Sequence, residues 1–321
     1  MRALVCSTLG SIDDLEVREV DPPRAGAGQV VVDVKAAGVN FPDVLVVQGL
    51  YQMKPPLPFT PGGEIAGVVS EVGAGVTELA VGDRVMAFTG IGGFAEKIAL
   101  APAQCTRIPD AMPFDAAGGL LLTYATAHHA LADRGRLVRG ETLLVLGAAG
   151  GVGIAAVQLG KAMGARVIAA ASTEEKRAFC LAQGADLAID PHAGDPKAVF
   201  KSLGRIDVVL DPVGGELAQP ALRALAPRGR FLVIGFASGT IPKLPLNLAL
   251  LKEIDVVGVQ WGVFAMRERE AERALEADLA ARYARGEIAP PIYRRYALED
   301  ARDALRAMMR REVMGKAIVT P

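Results

Sequence analysis

The first hundred residues alternate apolar and polar positions in short runs broken by glycine and proline. "RALVCS", "QVVVDVKAAGV", "EIAGVVSEVG", "DRVMAF" and "FAEKIAL" carry the two-residue period or the β-branched density of strands, so this part of the chain predicts a mostly-β unit. From about residue 115 the period changes. "FDAAGGLLLTYATAHHALADRG" reads as helix, and then strands and helices alternate. "ETLLVLGA" is a strand, "GVGIAAVQLGKAMG" a helix, "RVIAAAS" a strand and "TEEKRAFCLAQG" a helix, with further strands at "LAID", "IDVVLDPVG", "GRFLVIGFA" and "IDVVGVQWG". Strands that alternate with helices of this length predict a parallel sheet with crossover helices. The continuous apolar character of "TLLVLG" and "FLVIGF" suits strands buried on both faces.

The tail changes again. Residues 266–285 are a charged, alanine-rich amphipathic pattern, "LEDARDALRAMMRREVMG" is a further helix stopped by Gly315, and "KAIVTP" reads as a closing strand. That last strand needs a sheet, and the N-terminal unit offers an open one. The expected organisation is therefore α/β in two domains: residues 1–121 with 263–321, and residues 122–262.

Length agrees with two domains, because single cores stop growing near ~250–300 residues and this chain has 321. The formal net charge of -1 leaves no electrostatic footprint for nucleic acid or an anionic membrane. Cys6, Cys105 and Cys180 are odd in number and far apart, which fits neither a disulfide framework nor a paired-cysteine metal motif. No secretory leader or membrane-length apolar run is present, and a reducing cytoplasm is the expected location.

The most informative run is "LLVLGAAGGVGIAAVQLGKAMGARVIAAASTEEK". A buried strand leads into Gly147-Ala148-Ala149-Gly150-Gly151-Val152-Gly153, and a helix follows at once. Such glycines let backbone approach a pyrophosphate at a helix N-terminus, with Ala149, Gly150, Gly151 and Val152 as the cradle. Ala148 stands where the usual fingerprint has its first glycine, yet strand, turn, helix and second strand all fall in register. An acid about 20 residues past the glycines would hold an NAD ribose. That point here is Ala171-Ser172-Thr173, with Lys176 one helical turn on, a hydroxyl and an ammonium better suited to the 2′-phosphate of NADP. Glu174 and Glu175 must then point outward; the competing reading makes Ser172 a helix cap and Lys176 a solvated cation.

"FTPGGEIAG" raises a different question, because Glu64 is a lone carboxylate among glycines and small apolar residues. Such an acid holds a metal, a cation or a turn. His128 and His129 cannot act as a pair, since neighbours on a helix point about 100° apart, and both read as structural.

With these motifs in hand, and with "AAGVNFPDVLVVQGLY", "PFTPGGEIAGVV", "VGDRV", "LLLTYATAHHAL", "DPVGG", "VIGFASG" and "GKAIV" in the same order, the chain resembles the zinc-independent quinone oxidoreductases of the medium-chain dehydrogenase/reductase superfamily. The resemblance implies a GroES-like mostly-β catalytic domain and a Rossmann-type, doubly wound cofactor domain, with substrate held between them. Zinc-dependent relatives carry Gly-His-Glu where this chain has Gly62-Gly63-Glu64, and a cysteine where it offers Asn40. Their four-cysteine lobe has no counterpart after "GDRVMAF", so the resemblance implies no metal and leaves Glu64 as an acid that hydrogen-bonds locally.

It also assigns residues. Asn40 lies by the nicotinamide ribose and Thr123 at the nicotinamide end; the bland alternatives are a turn residue and a helix cap. Tyr51, in a "QG-x-Y" segment, is either a pocket wall, as in quinone reductases, or a proton donor, as in enoyl thioester reductases. Phe236, Ala237 and Ser238, and Trp261 with Gly262, follow strand ends where ligands bind in such sheets, although Trp261 also suits a core. The tyrosine that relatives place on the 2′-phosphate is replaced by Pro191, and Arg311 is the remaining family cation for it. The expected activity is NADPH-dependent reduction of a quinone or quinone-like α,β-unsaturated carbonyl. The alternatives are an enoyl-thioester reductase, with Arg294 and Arg295 for the pantetheine phosphates, and a non-catalytic NADPH-binding protein. The apolar strand "IDVVGVQWG" at a sheet edge predicts a homodimer.

Overall fold

The computed structural model describes every residue from Met1 to Pro321. Backbone contacts divide the chain into two compact units, Met1–Leu122 with Pro290–Pro321, and Thr123–Ala289.

The first unit opens with a two-stranded antiparallel ribbon, β1 (Arg2–Val5) and β2 (Glu16–Glu19). Strand β3 (Val30–Val39) follows, then helix α1 (Phe41–Val47), β4 (Glu64–Val72), β5 (Arg84–Phe88), β6 (Lys97–Leu100), β7 (Cys105–Arg107) and α2 (Phe114–Gly118). Strand β3 is the longest and organises the sheet. It pairs antiparallel with β4 along most of its length, and β6 takes the start of its other edge through Val30–Asp33.

Helix α3 (Leu121–His128) leads into the second unit and runs on through a wider-pitched turn at residues 129–134. The alternation predicted from sequence follows: β8 (Thr142–Leu146), α4 (Gly151–Ala162), β9 (Arg166–Ala170), α5 (Glu174–Ala182), β10 (Leu187–Ile189), α6 (Pro196–Ser202), β11 (Val208–Asp211), α7 (Ala218–Ala224), β12 (Arg230–Val233), α8 (Asn247–Lys252) and β13 (Asp255–Gly258). All strands are parallel, in the order β10-β9-β8-β11-β12-β13. Counted along this unit the order is 3-2-1-4-5-6, the dinucleotide-binding arrangement, with its switch point between β8 and β11.

Helices α9 (Trp261–Arg267) and α10 (Arg269–Ala284) belong to this second unit, although the sequence reading gave residues 263–289 to the first. Side chains explain the difference. Buried Tyr124 donates to Gln158 Oε1 at 2.7 Å, and Gln158 is bound in turn by the Ala289 backbone on both sides of its amide. His128 Nε2 lies 2.9 Å from Asp278 on α10, and Trp261 donates to Glu272. These contacts join distant stretches of chain, and periodicity carries no sign of them.

The chain returns to the first unit with β14 (Ile292–Ala297), α11 (Ala301–Met309) and β15 (Lys316–Thr320). Strand β15 pairs antiparallel with Ala37–Val39, completing the sheet order β14-β15-β3-β4-β5-β7, so the closing strand lands where its pattern predicted. Helix α11 ends before Gly315; the chain reverses at Arg311, whose φ is +56°.

Candidate active site

In the first unit the site grows from the junction of β3 and α1. The strand ends at Val39 and Asn40 takes the N-cap position, but its amide does not cap the helix. Asp43, one turn on, accepts the Asn40 backbone N–H at 2.7 Å. The Asn40 side chain is thereby free to turn inward, where Nδ2 donates to Glu64 Oε1 at 2.9 Å and to the Gly38 carbonyl at 3.2 Å. Glu64 opens β4 directly across the sheet from Gly38. A Cβ on Gly38 would stand 2.3 Å from Glu64 Oε1 and 2.2 Å from the Gly118 carbonyl, so only glycine admits the carboxylate there.

What Glu64 holds is a lysine. Lys316, at the start of β15, places Nζ 2.5 Å from Glu64 Oε1 and 2.6 Å from Asn40 Oδ1, and Leu122 N–H donates to Glu64 Oε2 at 2.8 Å. Both members of the ion pair are 1% exposed. The expectation of local hydrogen bonding is thus corrected: the cation comes from 252 positions away. A lone acid opening a buried strand demands a counter-charge, and a lysine opening an otherwise apolar strand of the same sheet was the legible sign of it.

Zinc in such a fold needs three protein ligands from His, Cys, Asp or Glu. Around Glu64 the partners are an ammonium, an amide and a backbone N–H, and nowhere do three or more such ligands cluster to hold a metal. The residues present do not fit a zinc site.

Asp43 is buried beside this pair, and burial pushes its carboxyl up to about 7, against the lowering effects of the Asn40 N–H and the Lys316 charge. Tyr51 is half-buried against the apolar core of the unit; burial first, and the Asp43 charge second, raise its hydroxyl above the usual range. A phenol raised in this way keeps its proton at neutral pH. Arg295 pairs with Asp115 and the Arg294 guanidinium lies 5.0 Å from the centre of the Tyr296 ring, so both arginines have partners on their own surface. Arg311 is exposed at its reversal after α11.

In the second unit the cradle after β8 forms as its pattern predicts. Gly147 has φ +57°, Ala148 and Ala149 are buried, and Gly150 is the N-cap of α4, with Gly151 and Val152 in its first turn. A Cβ on Gly153 would lie 2.4 Å from the Gly147 carbonyl, so the helix start meets the strand end at backbone distance. These are the features a pyrophosphate cradle requires. Across the switch point, Asp211 accepts the N–H groups of Val213 and Gly214, both at 2.8 Å, which sets the "DPVGG" turn. The turn after β12 is fastened to it. Ala237 and Ser238 donate backbone N–H groups to the Pro212 and Val213 carbonyls, and Phe236 lies against Gly214. Phe236, Ala237 and Ser238 therefore stand at the carboxyl ends of the strands.

Thr123 is buried in the first turns of α3. At the end of β9 the helix cap is Thr173, whose hydroxyl accepts the Lys176 N–H, so the capping alternative for Ser172 is removed and Ser172 is exposed. Trp261 goes the other way. It is buried, and its indole N–H donates to Glu272 at 2.9 and 3.0 Å, so it is a core residue rather than a cofactor contact, with Gly262 beside it in α9. His129 stacks on Phe264 with ring centres 4.2 Å apart, and burial lowers both histidine pKa values. Cys180 is buried, which pushes its thiol up to about 12.

Comparison with known proteins agrees with this geometry. The family described as "Alcohol dehydrogenase GroES-like domain" matches residues 26–110, and that described as "Zinc-binding dehydrogenase" matches residues 151–277. A rat protein named quinone oxidoreductase-like protein 2 is 38% identical over 99% of this chain and 92% of its own length. The human synaptic vesicle membrane protein VAT-1 homolog is 35% identical over 100% of this chain and 86% of its own. The solved structure of Escherichia coli quinone oxidoreductase complexed with NADPH superposes with a TM-score of 0.93 at 28% identity, each chain covered completely.

Proposed function

The chain belongs to the quinone oxidoreductase-like proteins of the medium-chain dehydrogenase/reductase superfamily, and from that premise we propose that it is an NADPH-dependent, metal-free reductase of quinones or quinone-like α,β-unsaturated carbonyls. The observation that supports the metal-free part of this reading is the donor set, with Gly63 and Asn40 at the two positions where zinc-dependent relatives carry His and Cys and no cluster of three such ligands anywhere in the chain. NADPH, when bound, supplies the hydride. The pyrophosphate falls to the α4 N-terminus through Gly150, Gly151 and Val152, and the 2′-phosphate to Ser172 and Lys176. The NADPH complex of the Escherichia coli protein supports that choice of cofactor. Asn40 has both amide hydrogens engaged, so it offers a ribose hydroxyl only an acceptor. Tyr51, which keeps its proton, offers a donor to an oxygen gaining charge.

The test is cofactor oxidation by chelator-treated protein, with NADPH and NADH in turn and benzoquinone or crotonyl-CoA as acceptor. Rapid NADPH turnover with the quinone supports the reading. Turnover with crotonyl-CoA alone would replace it with an enoyl-thioester reductase in which Tyr51 delivers the proton. NADPH binding without turnover on either acceptor would leave a non-catalytic binding protein.

The edge strand β13 presents an unpaired backbone edge, and Leu246, Leu250 and Leu251 around α8 are all at least 73% exposed. Pairing of β13 with a second copy would cover such an edge, which supports a homodimer. Sedimentation at monomer mass would overturn it. No helix of the chain is long and apolar enough to cross a membrane.

A further inference from the structure

The end of β9 holds a cation that neither the glycine motif nor the family pattern singled out. Ala171 N–H donates to the Ile189 carbonyl, so the chain leaving β9 lies beside the end of β10. Thr173 caps α5 and fixes its first turn, which sends Arg177 back over the strand end. There Arg177 Nη1 donates to the Ala171 carbonyl at 3.2 Å and stands 3.5 Å from Asp190 Oδ2. Asp190 is itself held, because its Oδ1 accepts the His192 N–H at 2.9 Å. Both Arg177 contacts run through one nitrogen; Nε and Nη2 take part in neither.

In sheets of this order the adenosine ribose lies at the end of the second strand, where an acid selects the free diol and an arginine accommodates a 2′-phosphate. Here the acid, Asp190, follows the third strand, and the Arg177 guanidinium faces it beside the end of the second. We propose that Arg177, oriented by Asp190, is the specificity-determining residue for the 2′-phosphate, acting with Ser172 and Lys176. Asp190 is the positioning residue: it neutralises the corner when no phosphate is present and holds the planar fork toward it. A guanidinium with free N–H groups binds a phosphate through two parallel hydrogen bonds, which an ammonium cannot do. The inference rests on the NADPH reading above and deepens it.

The test compares binding, without turnover, of adenosine 2′,5′-bisphosphate and 5′-AMP by calorimetry, with NADPH and NADH as a second pair. The quantity read is the ratio of affinities within each pair, which a general loss of folding or binding does not change. Arg177→Met is expected to lower the ratio by about tenfold to a hundredfold, and Arg177→Lys to restore part of it. Arg177→Gln, which keeps a donor for the Ala171 carbonyl, gives the same fall if the methionine variant does not fold. A wild-type ratio near one would overturn the NADPH reading and this inference together. A high wild-type ratio that survives Arg177→Met or Arg177→Gln would overturn the inference alone and leave Arg177 as a staple between α5 and the β10 turn.

Discussion

Two buried acids are treated in opposite ways by the two units. Glu64, in the first, is 1% exposed and has an ammonium at 2.5 Å, an amide at 2.9 Å and a backbone N–H at 2.8 Å. Glu272, in the second, is also buried, at 4% exposed, but is held by the N–H of a neutral indole. Its burial raises the carboxyl to about 7, with the nearby Arg269 charge too weak an influence to prevent it. One unit keeps a charge inside by supplying the opposite charge; the other lets the acid take up a proton. The first arrangement fixes the orientation of a side-chain amide beside the candidate site. The second ties α9 to α10.

The sharpest way to break this contrast is to remove the ammonium. Lys316→Met leaves Glu64 buried without its cation and is expected to cost about 3–5 kcal/mol of stability by urea denaturation. The pair Lys316→Met with Glu64→Gln should recover most of that loss, because no orphaned charge remains. A single-variant cost below about 1 kcal/mol would mean that Glu64 is neutral or hydrated, contrary to an ion pair.

Next in size is a change in the backbone-built cradle. Gly153→Ala introduces a Cβ 2.4 Å from the Gly147 carbonyl and is expected to cost about 1–3 kcal/mol and to weaken NADPH binding, read by protein fluorescence. Unchanged binding would separate the cradle from the cofactor.

Glu272→Gln tests the neutral acid. Between the ordinary carboxylate pKa and about 7 the native state holds a proton that the unfolded chain has lost. Stability contributed by this group is therefore full below pH ~4.5 and falls as pH rises through ~7. The glutamine variant should remove that decline, by on the order of 2 kcal/mol at about pH 8, while Trp261 keeps its acceptor. Parallel stability curves for variant and wild type would show that Glu272 is ionised throughout.

The smallest expected effect is at the surface. Lys176→Ala should raise the KM for NADPH by about threefold to tenfold with little change for NADH. An unchanged KM removes that lysine from the site.

The cradle of the second unit was readable because its requirements are local: a strand, left-handed and close-approach glycines, and a helix start within a dozen residues. Pro191, replacing a familiar contact, was also visible, but its replacement was not. Arg177 reaches the strand end through the cap at Thr173, and sequence reading had weighed Ser172 for that cap. The first unit's cluster was legible as an unanswered question at Glu64 and, apart from it, as a lysine opening an apolar strand, with nothing local to join the two. Its answer depends on which strand lies beside which, and a strand order that joins β15 to β3 is set by the packing of the whole sheet. Trp261 shows the limit from the other side. A tryptophan between glycine and glutamine at a strand end fits a cofactor wall or a core equally, until Glu272 is found against its N–H.

The separation of 252 residues between Glu64 and Lys316 also orders events on the ribosome. The second unit is a single continuous stretch, Thr123–Ala289, and is translated entirely before the lysine appears. At about 5–20 residues per second, Glu64 waits for roughly 10–50 s after its own synthesis before any counter-charge exists. During that interval the nascent first unit lacks β15 and the ammonium it carries, and the whole of the second unit is translated. In vectorial synthesis the unit that begins first is thus the one completed last.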